Sequence, residues 1–215
     1  MIDQDILLST AYFPPVQYLS KFLVHRTIWI ETAENFTKQT YRNRSLILAA
    51  NGPESLIVPV EKGRSQKQKI KDIRMSYDTN WQHTHWQTIV SAYQSSPFFE
   101  VLQDDFRPFF EKPYAFLFDF NQEILETVLT ILEVEPTIKH TPDFEAVPNS
   151  SLNYREAIHP KPQKALFDPF FKPKRYTQVF DDKYGFTPNL SCLDLLFNCG
   201  SESYAILAES ISATD

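Results

Sequence analysis

Residues 6–31 read ILLSTAYFPPVQYLSKFLVHRTIWIE. The β-like run of residues 6–12 ends at a pair of prolines, and apolar residues then recur at three- and four-residue spacing at Val16, Leu19, Phe22 and Leu23. This spacing predicts an amphipathic helix over residues 16–25, and residues 27–31 follow as a second strand. A strand, a crossover helix and another strand indicate two parallel strands, so the segment predicts an α/β sheet.

The rest of the chain extends this start to an α/β fold. The turn sequence NGPE at residues 51–54 joins the apolar runs 45–50 and 55–60 and predicts a β-hairpin. We expect an N-terminal mixed sheet with the βαβ start and this hairpin, followed by a helical middle and a proline-rich C-terminal segment. Apolar periodicity predicts helices over residues 80–94, 98–110 and 121–134, and from Pro188 to a closing glycine, Gly200.

The chain has 215 residues, which fits one domain of ordinary size. We expect a single domain over residues 1–215 with four parts: a strand-rich α/β part (1–78), a helical part (79–135), an extended segment (136–175) and a C-terminal helical part (176–211). Aromatic residues make up 14% of the chain, led by 18 Phe, and this predicts an aromatic-rich core. A stacking cleft is the alternative use of so many rings.

Glycine is scarce, with 4 Gly beside 15 Pro. Loops that hold phosphate need several glycines close together, because backbone N–H groups must approach the anion. No two glycines of this chain lie within ten residues of each other, and the Walker, GxGxxG and GxSxG patterns are absent. An anion site in this chain must therefore use side chains or a helix N-terminus.

The charge balance excludes further classes of function. The 21 Lys and Arg residues against 27 Asp and Glu give a net charge of −6, which argues against nucleic-acid binding driven by counterion release. The apolar runs fall short of the ~20 residues that a membrane span requires, so we expect no membrane insertion. Acids at the N-terminus, where a secretory signal carries Lys or Arg, favour a cytoplasmic location. Neither CxxC nor HExxH occurs, so the sequence predicts no metal site and indicates no particular cofactor.

A local group of cations follows the second predicted strand. Lys38, Arg42 and Arg44 lie within seven residues, with Tyr41 and Asn43 between them. If the sheet is parallel there, this segment lies at its carboxyl edge, and arginine is suited to bidentate binding of phosphate or carboxylate. The structural alternative is an ordinary solvated loop.

Two further residues are candidates for the same site. Tyr12 and the N–H groups at the start of the helix after Pro15 would face the crevice outside the carboxyl ends of the strands, where open α/β sheets bind ligands. The alternative is that the prolines only shape a turn. His85 lies one helical turn from Trp81 and is the best general-base candidate, because imidazole titrates near neutral pH. A packed, hydrogen-bonded core histidine is the alternative.

Several segments together resemble one known family. They are residues 12–18 (YFPPVQY), residues 38–44 (KQTYRNR), the helical set Trp81, His85, Ile89 and Tyr93, and residues 176–180, 185–191 and 194–198. Their order and spacing resemble the WbqC-like family. That resemblance implies a role among polysaccharide (O-antigen) gene clusters, where a glycine or other small-group transferase function has been suggested. The family supplies no established catalytic residues, and Thr10–Ala11 stand where a Gln-Pro is expected.

Two hypotheses of function follow. The first is a transferase of surface-polysaccharide assembly acting on a small-molecule or sugar-nucleotide substrate, with His85 transferring a proton and the substrate bound by Tyr12, Lys38, Tyr41, Arg42, Asn43 and Arg44. The second is a non-catalytic protein that binds a sugar nucleotide or a partner of the same pathway. The sequence specifies neither the donor, the acceptor nor the oligomeric state.

Overall fold

The computed structural model describes residues 4–61, 67–146 and 151–212. Within these residues the strands are β1 (Asp5–Ser9), β2 (Thr27–Glu31), β3 (Arg44–Ala49), β4 (Gly52–Ile57), β5 (Thr137–His140) and β6 (Ser151–Asn153). Four of them form a sheet in the order β5-β2-β1-β6 in which every neighbouring pair is parallel. The hairpin of β3 and β4 is antiparallel and forms a two-stranded sheet of its own. The predicted α/β class, with its βαβ start and hairpin, is confirmed.

The helices of the described residues are α1 (Val16–Val24), α2 (Trp81–Tyr93), α3 (Phe99–Phe106), α4 (Leu117–Ile131), α5 (Asp181–Tyr184), α6 (Cys192–Cys199) and α7 (Ser203–Glu209). The helix predicted over residues 98–110 is shorter than expected, because α3 gives way to a 3-10 turn at Arg107–Phe110. Pro108 lies in that turn and has no N–H group to continue an α-helix. Helix α4 begins four residues before Asn121, whose side-chain amide instead donates to the carbonyl of Arg42 at 2.8 Å.

The two central strands place their apolar residues in the core. Side chains of a strand alternate between the two faces of a sheet. Ile6, Leu8, Ile28 and Ile30 are fully buried on one face, and β1 pairs with β2 in a register that sets Ser9 beside Glu31. Both strands therefore end on a polar residue at the same edge of the sheet.

Strands β5 and β6 come from residues 136–175, the segment described above as extended. β5 pairs with β2, and β6 pairs with β1 on its other side. The strand order therefore reverses between β1 and β6. In open α/β sheets such a reversal leaves a crevice at the carboxyl ends of the strands. The late segment thus completes the edge at which a ligand site is expected.

The core is rich in aromatic side chains, as the composition predicts. Tyr12, Phe13 and Phe106 are fully buried, and the rings of Phe13 and Phe106 lie 5.9 Å apart between centroids. Phe197 of α6 joins them at 5.6 Å from Phe106. Gly200 closes α6 with a φ of 52°, and a Cβ at this position would overlap the ring of Phe98. Glycine is therefore required there both by the backbone and by the packing.

None of the helices in the part of the chain that the structure describes is long and apolar enough to cross a membrane.

Candidate functional site

Polar side chains converge at the carboxyl ends of the parallel strands. Ser9 ends β1, Glu31 ends β2, and Glu34 and Arg42 come from the loop between β2 and β3. Arg155 and Glu156 follow β6 after one intervening residue, Tyr154. We call these six residues the carboxyl-edge cluster. Five of them are less than a tenth exposed, whereas the side chain of Glu156 is 61% exposed. Buried charges require charged or hydrogen-bonding partners, so the contacts of this cluster define its chemistry.

Arg42 is the centre of the first half of the cluster. Its Nε and Nη2 donate to the two carboxylate oxygens of Glu34 at 2.7 and 2.6 Å, a bidentate pair. Nη2 also donates to Ser9 Oγ and to Glu156 Oε1, both at 2.7 Å. Burial disfavours the charged guanidinium, but the carboxylates of Glu34 and Glu156 outweigh this effect and raise the pKa of Arg42. Arg42 is therefore a fixed cation in a buried setting.

Arg155 forms the second half of the cluster. Its Nη1 donates to Glu31 Oε2 at 2.9 Å, and its Nε donates to Asn153 Oδ1 at 3.1 Å. The other oxygen of Glu31 accepts from the Thr141 hydroxyl at 2.7 Å. Arg155 thus connects the ends of β2, β5 and β6. Ser9 joins the two halves, because its Oγ donates to the backbone carbonyl of Arg155 at 3.0 Å.

A narrow pocket opens at the junction of the two halves. It lies between Ser9, Tyr41, Arg42, Tyr154 and Arg155 and holds about 20 Å³. This volume admits one water-sized group, so a ligand can place a single oxygen or nitrogen atom here, such as one oxygen of an oxyanion, while the rest of it stays outside. Burial raises the pKa of Tyr41 to about 12, so its hydroxyl is a neutral donor or acceptor at physiological pH.

A larger cavity lies beside the same strands. It holds about 360 Å³ and is bounded by Leu7, Trp29, Glu31, Thr141 and Glu145, among others. This size is in the range of small-molecule sites. Glu31 borders this cavity and also holds Arg155 of the narrow pocket, so the two spaces share one buried ion pair.

The predicted cation group separates into different environments. Arg42 and Tyr41 reach the carboxyl edge, but Lys38 lies exposed in the preceding turn. Asn43 braces the hairpin by donating from Nδ2 to the carbonyl of Val58 at 2.9 Å. Arg44 is half-buried at the start of β3, and its Nε has no hydrogen-bond partner among the described residues. The structure therefore brings two of these five residues, Tyr41 and Arg42, together with the acids of the cluster.

Tyr12 and His85 meet in the aromatic core. The Tyr12 hydroxyl lies 3.0 Å from His85 Nδ1, and His85 packs edge-on against Trp81 at 5.0 Å. Tyr12 is fully buried and His85 nearly so. Burial lowers the pKa of His85 to about 4, and a backbone hydrogen bond with Ile57 only partly offsets this effect. These contacts match the packed core histidine named as the alternative, and the role of His85 in proton transfer stays a prediction.

The N–H groups at the start of α1 have protein partners. The N–H of Val16 donates to the carbonyl of Leu190 at 3.0 Å, and the N–H of Gln17 donates to Asn189 Oδ1 at 2.9 Å. The expectation that these groups face a ligand crevice is therefore wrong. The reason is that residues 189–190 fold back over the helix start and satisfy the two donors, a contact that no local pattern reveals.

Sequence reasoning missed most of the carboxyl-edge cluster. Glu31 is the last residue of a predicted strand, so its position was available from the strand end, whereas Ser9 lies inside the predicted run of residues 6–12 and ends the strand only in the structure. Arg155 and Glu156 gave no such signal, because β6 has only three residues and lies in a proline-rich segment. Within the described residues, no group of three His, Cys, Asp or Glu side chains is arranged to hold a metal ion.

Comparison with known proteins places this fold and site in a family. The model of the WbqC-like protein family matches residues 10–159, a range that begins after β1 and includes Arg42, Arg155 and Glu156. The chain belongs to the WbqC-like protein family. It is also similar to an uncharacterised protein of Mycobacterium tuberculosis, Rv1507c, with 25% identity over 228 residues that cover 94% of each chain. No solved structure matches the chain.

Proposed function

We propose that this WbqC-like protein is a transferase of surface-polysaccharide (O-antigen) assembly that acts in the cytoplasm and transfers glycine or another small group to a sugar. The observation that carries the proposal is the buried Arg42, which borders a pocket at the strand reversal between β1 and β6. Glycine has a carboxylate and a sugar nucleotide has phosphates. Either group is an oxyanion that a guanidinium binds well.

The cluster is suited to orient such an anion. Glu34 holds the guanidinium of Arg42 in place through two hydrogen bonds, so little side-chain freedom is lost when a ligand binds. Interactions between charges are stronger in a buried setting than in water, because the local dielectric is lower. Ser9 Oγ and the Tyr41 hydroxyl add neutral hydrogen-bonding groups at the wall of the same pocket. Binding and orientation of the substrate are thus the contributions of these residues.

In this proposal His85 transfers the proton. Tyr12 connects His85 to Tyr41 at the wall of the narrow pocket. The Tyr12 hydroxyl bonds His85, and the Tyr12 N–H donates to the carbonyl of Tyr41 at 2.8 Å. With its lowered pKa, the imidazole is in the neutral form that accepts a proton at physiological pH, and it is a weaker base than an ordinary histidine. Lys38, Asn43 and Arg44 stay candidate substrate-binding residues around this centre.

A binding protein without catalytic activity is the second candidate. The cavity beside Trp29 favours it, because a space of about 360 Å³ fits a small ligand and the described residues that line it do not include His85. A sugar nucleotide or a pathway partner would then be held without turnover.

A ligand screen followed by variants tests the proposal. The full-length protein is screened by thermal shift against nucleotide sugars, amino acids including glycine, and acyl carriers; a ligand at 100 times its Kd adds about 2.7 kcal/mol of stability. Arg42→Lys keeps the charge but loses the bidentate geometry, so we expect about tenfold weaker binding of the hit. Arg107→Lys, in an exposed ion pair with Glu111, is the matched control and should leave the affinity unchanged.

His85→Gln separates the two candidates. A transferase should lose turnover, followed by mass spectrometry of the sugar acceptor, while its Kd for the donor stays nearly constant. A binding protein should show the same Kd in both forms and no turnover in either. A hit whose affinity does not respond to Arg42→Lys would refute the carboxyl-edge cluster as the substrate site.

A further inference from the structure

We propose that Glu156 is an internal competitor for Arg42, which an oxyanion of the ligand, a carboxylate or a phosphate, displaces when it binds. The inference rests on the proposed function, because the ligand is taken to be the anion bound by Arg42. It adds an exchange of partners to that function: the Glu156 carboxylate binds Arg42 in the free protein, and the ligand binds Arg42 in its place.

The geometry of the guanidinium separates a permanent partner from an exchangeable one. Glu34 occupies the inner edge of Arg42 through both oxygens, on Nε and Nη2. Glu156 makes one contact, from Oε1 to Nη2 at 2.7 Å. Within the described residues, the hydrogen bonds of the Arg42 guanidinium come from Nε and Nη2 and none comes from Nη1. An oxyanion can therefore bind Nη1 with one oxygen and take the place of Glu156 on Nη2 with another, a bidentate arrangement that Glu156 does not achieve.

The burial of the three side chains supports the same assignment. The side chains of Arg42 and Glu34 are 2% and 6% exposed, whereas that of Glu156 is 61% exposed. Breaking the Arg42–Glu34 pair would leave a buried charge without a partner, which is strongly destabilising. An ion pair with a largely exposed partner contributes little, because water solvates the released carboxylate. Glu156 is thus the partner that a ligand can replace at low cost.

Two lysines, Lys161 and Lys164, act on the same histidine as Glu156. His159 lies close enough to Glu156, Lys161 and Lys164 for their charges to act on it; burial and then Lys164 lower the pKa of His159, while Glu156 raises it. The ammonium of Lys161 donates to the side-chain carbonyl of Gln39, in the turn that carries Lys38. On a chain of net charge −6, Lys161 and Lys164 form a local exception that favours an anion near Glu156.

The test compares anion binding by the wild-type protein and by Glu156→Gln. In 15N-labelled protein the Arg42 Nε–H resonance, identified by its loss in Arg42→Lys, is followed during titration with sodium phosphate and, separately, sodium acetate at constant ionic strength. We expect the Kd of Glu156→Gln to be roughly three- to tenfold lower than that of the wild type, because a competing surface ion pair and one negative charge are removed. Glu111→Gln is the control, since it removes the same charge from an exposed ion pair with Arg107.

The outcomes distinguish this inference from the proposed function. A tighter Kd for phosphate, for acetate or for both, in Glu156→Gln and not in Glu111→Gln, supports the competitor role, and the probe with the lower Kd identifies the oxyanion. Equal Kd values in the wild type and both Glu variants, with the Arg42 resonance still shifting on titration, refute the competitor role and leave the anion site intact. Binding that does not shift the Arg42 resonance, or no binding by any form, overturns both.

Discussion

Asp194 is a buried carboxylate in the first turn of α6, and its hydrogen-bond partners are neutral. The hydroxyls of Tyr93 and Tyr176 donate to it at 3.0 and 2.8 Å, and the Gln178 amide donates at 2.8 Å. Burial raises the pKa of Asp194 to about 6 from an ordinary value of 3.8, and the three donors only partly offset this effect. The folded protein therefore binds this proton more tightly than the unfolded chain does.

The shifted pKa predicts the pH dependence of an Asp194→Asn variant. A group whose pKa is higher in the folded state loses stability as the pH rises between the two pKa values. The wild type should therefore lose roughly 2–3 kcal/mol of unfolding free energy from Asp194 as the pH rises from 4 to 7, and the Asn variant should not. Urea unfolding of both proteins at several pH values measures the difference, in which all other titrating groups cancel. Parallel stability curves for the two proteins would contradict the assignment.

Among single residues, the sequence predicted Arg42 as a candidate for binding an anion. It did not predict the ion pairs that Arg42 forms with acids of the chain. A run of cations indicated an anion site, and the bidentate geometry of arginine made Arg42 a good candidate. The acids that bind it, Glu34 and Glu156, lie 8 and 114 residues away along the chain. Glu34 was near enough to consider, whereas the contact with Glu156 depends on the pairing of β6 with β1. Lys38 and Arg44 had the same local signal, and only the tertiary fold separates them from Arg42.

Helix α1 has an amphipathic sequence, but in the structure it is almost wholly buried. Its polar residues Gln17, Ser20 and Lys21 are buried together with its apolar ones. The reason is a second layer formed by the late segment: Lys21 Nζ lies 2.5 Å from Asp168 Oδ2, and the hydroxyl of Tyr154 donates to the other oxygen of Asp168 at 3.0 Å. Burial lowers the pKa of Lys21, and Asp168 offsets part of that effect. The ion pair therefore fixes residues 154–168 to the helix.

Replacing one partner of the Lys21–Asp168 ion pair should lower the free energy of unfolding strongly, and replacing both partners should not. Lys21→Met leaves Asp168 as a buried charge without its cation, and we expect a loss of about 3–5 kcal/mol of unfolding free energy. Adding Asp168→Asn to Lys21→Met should recover most of this loss. Lys174→Met is the matched control, because Lys174 and Glu209 form an ion pair at the same 2.5 Å with both side chains about half exposed. It should cost no more than about 1 kcal/mol.

Chemical denaturation of the four proteins gives the free energies for this comparison. A loss for Lys21→Met no larger than that for Lys174→Met would show that the buried pair does not anchor the late segment.

The sequence predicted those elements that carry a strong local pattern. The βαβ start and the hairpin at residues 51–54 were found because an apolar period and a turn signal coincide. The strands β5 and β6 were missed because they have four and three residues, too few to show an alternation. They exist as strands because β1 and β2 offer unpaired edges, which is a property of the assembled sheet and not of residues 136–175.

At the scale of the whole molecule, the late part of the chain completes structures that begin in the early part. β5 and β6 cover the outer edges of β2 and β1. The carbonyl of Leu190 accepts from the N–H of Val16, and the N–H of Ser191 donates to the carbonyl of Leu46 in β3 at 2.8 Å. Helix α6 adds Phe197 to the aromatic core. The predicted parts 1–78 and 79–135 therefore both contact residues that follow them in the chain.

A truncated chain tests whether residues 1–215 form a single domain, as the sequence predicts. A chain ended after Glu135 lacks both edge strands, leaves Glu31 without Arg155 and Lys21 without Asp168, and exposes the β1 and β2 edges. Each buried charge left without a partner costs several kcal/mol, which is a large part of the 5–15 kcal/mol that stabilises a typical domain. We expect this chain to lack a cooperative thermal transition in near-ultraviolet circular dichroism, whereas the full protein should show one. If residues 1–135 alone unfold cooperatively and protect their amides in β1 and β2 from exchange, then the early part is an independent domain and the late strands are an addition to it.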